Sequence, residues 1–101
     1  MKSILSLVIL FALLGTVCGA QAAGDAAAGK TKAASCAGCH GANGEGVGAT
    51  PKLAGMQEAA FIQAVQEYKS GKRPNAIMKS FAAKLSDQEI ANLAAYYASL
   101  K

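Results

Sequence analysis

The chain has 101 residues, one His, and a formal net charge of +4 from 10 Lys and Arg against 6 Asp and Glu. That length holds one small domain, or one domain behind a targeting segment, and excludes a multidomain enzyme. A single His excludes any metal centre that needs two His ligands from this chain. Apolar residues make up 52%, but the large ones crowd the first twenty positions and much of the remainder is alanine.

Residues 1–22 read as a secretory signal peptide. Lys2 supplies the positive start, Ile4 to Leu14 an apolar run, and Ala20-Gln21-Ala22 a small-x-small cleavage pattern, with the cut after Ala22. The run is short for a membrane span of about 20 residues, and Gly15, Gly19 and Gln21 interrupt its end. Stable membrane insertion is therefore not expected. Gly15-Thr16-Val17 lacks the usual Leu and small residue of a lipobox, so Cys18 is expected to leave with the peptide. Loss of Lys2 lowers the net charge to +3.

The remaining domain, residues 23–101, carries 20 alanines but only 16 large apolar residues. A core of that size stabilises a domain by only a few kcal/mol and needs a staple: a disulfide, a metal or a large apolar cofactor.

Four helices are expected in chain order, with no strand of period-2 pattern. Asp25 can cap a first helix running to about Ala37. A Gly-rich loop follows, and Thr50-Pro51 excludes helix there. A second helix starts near Gln57, carries Phe61, Ile62, Val65 and Tyr68 on one face, and stops at Ser70-Gly71. Pro74 marks the next loop, and a short third helix covers about Ala76 to Lys84. In the last helix Ser86-Asp87-Gln88-Glu89 forms a capping box, followed by an apolar stripe of Ile90, Leu93, Tyr97 and Leu100.

Two motifs compete. Cys36-Ala37-Gly38-Cys39-His40 is C-x-x-C-H, the signature of covalent c-type haem attachment. Two thiols at this spacing can reach the two vinyl groups of one porphyrin, and the adjacent His is then placed under the iron. A thioredoxin-type dithiol needs a βαβ context that the pattern lacks. A zinc site needs a fourth ligand. A plain disulfide would close only a tiny loop. Gly24 to Thr31 also matches G-x-x-x-x-G-K-[ST], the phosphate-loop pattern. That loop requires a preceding buried strand, for which there is no room behind the cleavage site, so no nucleotide is expected. Helix is the better reading there, with Lys30 and Lys32 solvated.

A haem iron that only transfers electrons needs a sixth ligand. His40 is the sole His, so a Met is the natural partner. Met78, 38 residues beyond His40, has a longer path around the haem edge than Met56, only 16 beyond, and spacing favours it.

Taken together, these segments resemble class I cytochromes c, the small soluble bacterial monohaem type, similar to one half of the periplasmic dihaem cytochromes c. The resemblance rests on Gly24-Asp25-Ala26-Ala27-Ala28-Gly29-Lys30, Cys36 to Gly41, Pro51-Lys52-Leu53-Ala54-Gly55, Gly71-Lys72-Arg73, Met78, and Leu85-Ser86-Asp87 leading to Tyr96-Tyr97. It implies an all-α fold of about four helices around one covalent haem c. Cys36 and Cys39 would carry the thioethers, and His40 and Met78 the iron. The Pro51 carbonyl would accept from the other ring N–H of His40. Leu53, Phe61 and Leu93 would wall the haem, and Arg73 would meet a propionate. Gly29 would sit at a helix crossing against Tyr96 or Tyr97.

The function so implied is a periplasmic one-electron carrier, not an enzyme, between a redox-protein donor and acceptor of a respiratory or photosynthetic chain, with no nucleic-acid partner. Lys52, Lys72, Arg73, Lys79 and Lys84 flank the expected edge and offer a surface for acidic partners. Two other readings remain at this point: a haem c subunit of a larger oxidoreductase, and a ligand-binding or catalytic haem protein with an open sixth position.

Overall fold

The computed structural model describes residues 23–100. The proposed signal peptide, its cleavage site and Cys18 lie outside the described residues. Among those described, the elements are helical: α1 (Ala26–Lys32), a 3₁₀ turn (Ala33–Ser35), α2 (Ala37–His40), α3 (Glu58–Ser70), α4 (Ala76–Ala83) and α5 (Asp87–Ala98). An isolated antiparallel bridge joins Val47 and Thr50 in the long loop between α2 and α3.

The expected single first helix is thus three pieces. The Asp25 carboxylate does cap its start, accepting from the N–H groups of Ala27 at 2.9 Å and Ala28 at 3.3 Å. The run then tightens. Cys36 N donates to Ala33 O at 2.8 Å, an i→i−3 bond. The Ser35 hydroxyl takes the Lys32 carbonyl at 3.0 Å. A serine hydroxyl that bonds nearby backbone competes with the regular helical ladder. The 3₁₀ turn separates α1 from α2, which carries Cys39 and His40.

The later helices start and stop where local chemistry directs. Gln57 precedes α3, and Gly71 ends it in the left-handed conformation with φ 88°. Ser86 and Glu89 form a reciprocal capping box at α5, the serine hydroxyl accepting from Glu89 N at 3.1 Å and the carboxylate from Ser86 N at 2.9 Å.

The core is one cluster in which α5 is central. Ile90, Leu93, Ala94, Tyr96 and Tyr97 of α5 are buried with Phe61 and Val65 of α3, Ala82 of α4 and Ala33. The Phe61 and Tyr97 rings are 5.6 Å apart and tilted, and those of Tyr96 and Tyr97 5.1 Å apart. Such aromatic pairs add to the stabilisation from area burial alone.

The terminal helices cross at Gly29. A Cβ built there would overlap the Asn92 carbonyl and come within 2.9 Å of Tyr96 Cβ. Of the two tyrosines considered for this crossing, Tyr96 is the one in contact. Tyr97 instead presses on Gly44 of the long loop, where a Cβ would lie 2.6 Å from its ring. Asn92 also accepts from Asp25 N at 2.8 Å. Lys32, expected to be solvated, pairs with Glu89 of α5 at 3.1 Å. The Ser86 N–H, then Lys32, hold the Glu89 carboxyl below its ordinary value.

Candidate haem site

A cavity of about 610 Å³ lies between α2, the long loop, α3, α4 and the inner face of α5. Each residue expected to serve the site lines it: Cys36, Cys39, His40, Pro51, Leu53, Phe61, Arg73, Met78 and Leu93. The 3₁₀ turn and α2 bring the two thiols and the imidazole to one wall. Both thiols are free, Cys39 exposed and Cys36 half-buried.

His40 is buried, with 6% of its surface exposed. Its Nδ1 lies 2.8 Å from the Pro51 carbonyl oxygen. A carbonyl can only accept, so Nδ1 carries the proton, and in the neutral ring Nε2 keeps its lone pair. That is the tautomer a metal ligand requires, and the bond to Pro51 fixes the ring's orientation. The loop is held for this task by backbone bonds. Gly46 N donates to His40 O at 2.7 Å, Leu53 N to Gly44 O at 2.7 Å, and Gly55 N to Tyr97 O at 2.8 Å.

Much of the remaining wall belongs to α3 and α4. Phe61, Val65 and Tyr68 line it from α3, and Ile77, Met78, Phe81 and Ala82 from α4. Ile77 is 65% and Phe81 41% exposed. Large apolar side chains left open around one cavity suit a large, flat, apolar guest. Met56 also lines the cavity, but it packs against the core cluster as well.

At the mouth, Arg73 is less free than the sequence suggests. Its Nε donates to Glu67 Oε1 at 2.7 Å, its guanidinium lies 5.7 Å above the Tyr68 ring, and Lys72 approaches Glu67 at 3.8 Å. Gln63, then Arg73, hold the Glu67 carboxyl below its ordinary range. Glu67 therefore offsets two of the five cations expected to form a basic docking edge. Burial, reinforced by Cys36, pushes the Tyr97 phenol well above its ordinary value, so it stays neutral against the core side of the site.

Two residues of the site escaped the sequence reading. Glu67 gave no signal, because its cationic partners, Lys72 and Arg73, come from the loop beyond α3. Asn75 gave one: an Asn three residues before Met78, at the head of an apolar helix, is an N-cap pattern. Its side chain lines the cavity and accepts from Met78 N at 3.0 Å.

The family model described as Cytochrome c matches residues 26–101. The chain belongs to the cytochrome c family. Cytochrome c4 of Pseudomonas aeruginosa is 45% identical over 101 residues, 99% of this chain and 49% of that protein. Cytochrome c-554(547) of Halothiobacillus neapolitanus is 45% identical over 91 residues, 78% of this chain and 100% of that protein. Among solved structures, the cytochrome c4 of Acidithiobacillus ferrooxidans superposes with a TM-score of 0.74 at 28% identity, covering 81% of this chain and 53% of that one. The chain thus spans about half the length of the cytochrome c4 relatives it matches. Family membership brings one covalently attached haem c, in keeping with a single C-x-x-C-H in the sequence. The donor set fits that group: two free thiols, an imidazole with its Nε2 lone pair available, and thioethers, all on one largely apolar cavity.

Proposed function

We propose that the protein is a periplasmic one-electron carrier, exported by cleavage of residues 1–22, with its haem bound through Cys36 and Cys39 and its iron held by His40 and Met78. The observation that carries this reading is the convergence of both thiols, a tautomer-fixed imidazole and Met78 on one cavity.

The haem, when bound, supplies a reversible couple between ferrous and ferric iron. The chain's own residues fix and shield it. Cys36, at the head of α2, and Cys39 within it would each hold the haem as a thioether, formed by addition of S–H across a vinyl group. His40 keeps one nitrogen for the metal because the other is committed to Pro51. Phe61, Val65 and Leu93 exclude water from one side of the cavity and lower the local dielectric. With His40 and Met78 both holding the iron, the chain would leave no open site for substrate, and the role would be that of a carrier and not an enzyme.

Donor and acceptor would be redox proteins that dock briefly over a small area. Lys52, Lys79 and Lys84 are the basic residues of the expected edge that Glu67 does not offset, and they favour acidic partners.

Absorption spectra of the exported protein, oxidised and reduced, with a haem stain after denaturing electrophoresis, test attachment and ligation together. Retention of haem through denaturation is expected. Met78→Ala should change the oxidised spectrum and admit cyanide. An unchanged spectrum in that variant overturns the assignment of Met78.

A further inference from the structure

Met78 sits at the third position of α4, a helix of eight residues. Such a short helix has little stability of its own and owes its form to its ends and its packing. Its N-terminal end is held by Asn75, whose side-chain oxygen accepts from the backbone N–H of Met78 itself at 3.0 Å. The Asn75 carbonyl opens the helix by accepting from Lys79 N at 2.9 Å. Asn75 thus bonds the very residue whose side chain is offered to the cavity, and it lines that cavity as well.

The chain leading to Asn75 is fixed in turn. Arg73 N donates to the Glu67 carbonyl at 3.1 Å, and Arg73 Nε to the Glu67 carboxylate at 2.7 Å. The loop between α3 and α4 is therefore anchored on α3 just before the capping residue. At the other end, Lys84 N donates to Phe81 O at 3.1 Å, and Ala82 is fully buried in the core.

We infer that Asn75 is a positioning residue for the sixth iron ligand: its cap on Met78 N–H holds the first turn of α4 in the register that keeps the Met78 thioether at the iron. The inference rests on the reading of Met78 as that ligand. Asn75 acts through Met78 and forms no bond to iron.

Loss of the cap would raise the population in which Met78 has left the iron. An external ligand binds only that population, so its apparent affinity rises in proportion. An N-cap contributes typically about 1 kcal/mol, equivalent to about a fivefold change in population.

The test is cyanide titration of the haem-loaded ferric protein, followed by absorption, in five variants, with Met78→Ala as the control for the ligand itself. Asn75→Ala should bind cyanide about fivefold more tightly than the wild type. Asn75→Ser, which keeps a capping oxygen, should bind as the wild type does. Asn75→Gly, a milder loss, should fall between them and serves in place of the Ala variant if that fails to load haem. Asp25→Ala removes a cap of equal kind at α1, far along the chain from Met78, and should leave cyanide affinity near that of the wild type. An equal rise in Asp25→Ala overturns the inference, since general loosening would then account for the effect. Unchanged affinity in both Asn75→Ala and Asn75→Gly also overturns it, provided Met78→Ala opens the iron to cyanide. If Met78→Ala itself leaves the spectrum and cyanide binding unchanged, the ligand reading falls, and the role of Asn75 falls with it.

Discussion

His40 and Pro51 are joined by one hydrogen bond of 2.8 Å, from the imidazole Nδ1–H to the prolyl carbonyl oxygen. The bond decides which ring nitrogen is left for a metal, and it does so through a backbone atom. The identity of the side chain at position 51 matters in a different way. Proline narrows the unfolded chain's freedom and keeps the Thr50–Pro51 segment extended.

Pro51→Ala therefore separates the two roles. The carbonyl remains, so the spectrum of the haem-loaded protein should be unchanged. The unfolded chain gains freedom, and stability should fall by about 0.4–1 kcal/mol. Guanidinium denaturation followed at the haem band measures the fall. A changed spectrum would mean that the variant loop no longer presents its carbonyl to His40.

Gly29→Ala has an expected sign opposite to helix propensity. Alanine in a helix interior is usually better than glycine by about 1 kcal/mol. Here the added methyl would overlap the Asn92 carbonyl and press on Tyr96. The helices must move apart or the backbone shift, and overpacking of this kind costs about 1–3 kcal/mol. A lowered denaturation midpoint is expected, and a raised one would show that α1 and α5 can separate freely.

The capping box of α5 gives a pH dependence with a definite sign. The Glu89 carboxyl lies below the ordinary 4.5, held there first by the Ser86 N–H and then by Lys32. A depressed carboxyl contributes stability above the unfolded value, and that contribution is lost as pH falls through the folded value. Glu89→Gln keeps an oxygen for the Ser86 N–H but removes the charge. The wild type should melt above this variant at neutral pH, and the gap should close as pH falls below 4.5. Thermal melts of the haem-loaded protein at neutral and acid pH check this. A gap that persists or widens in acid would show that Glu89 contributes through something other than its charge.

Much of this site was legible in the sequence because its signals are local. C-x-x-C-H places three donors within five residues. Ser86 to Glu89 announces a helix start, Gly71 a helix end, and Phe61 with Val65 an inward face. What could not be read has distant partners or no side-chain signal. The division of the expected first helix falls at Ala33-Ala34-Ser35, where nothing in the sequence shows that the serine hydroxyl takes the Lys32 carbonyl. Lys32 finds Glu89, and Tyr97 finds Gly44, only once the ends of the chain have been brought together. Lys72 and Arg73 read as a free basic edge because nothing in their own segment shows that Glu67 faces them.

Tyr97 has its ring against Phe61, Tyr96 and Gly44, and its carbonyl on Gly55 N–H. The loop that presents Pro51 to His40 is thereby latched to the last helix at two points. Fraying of α5 should then release the loop, and release of the loop should free the imidazole to turn. The imidazole's side of the cavity and the C-terminal helix should therefore exchange their amide protons as one slow unit. Under the proposed role, the surroundings of the metal would stay almost still while the protein lends out an electron.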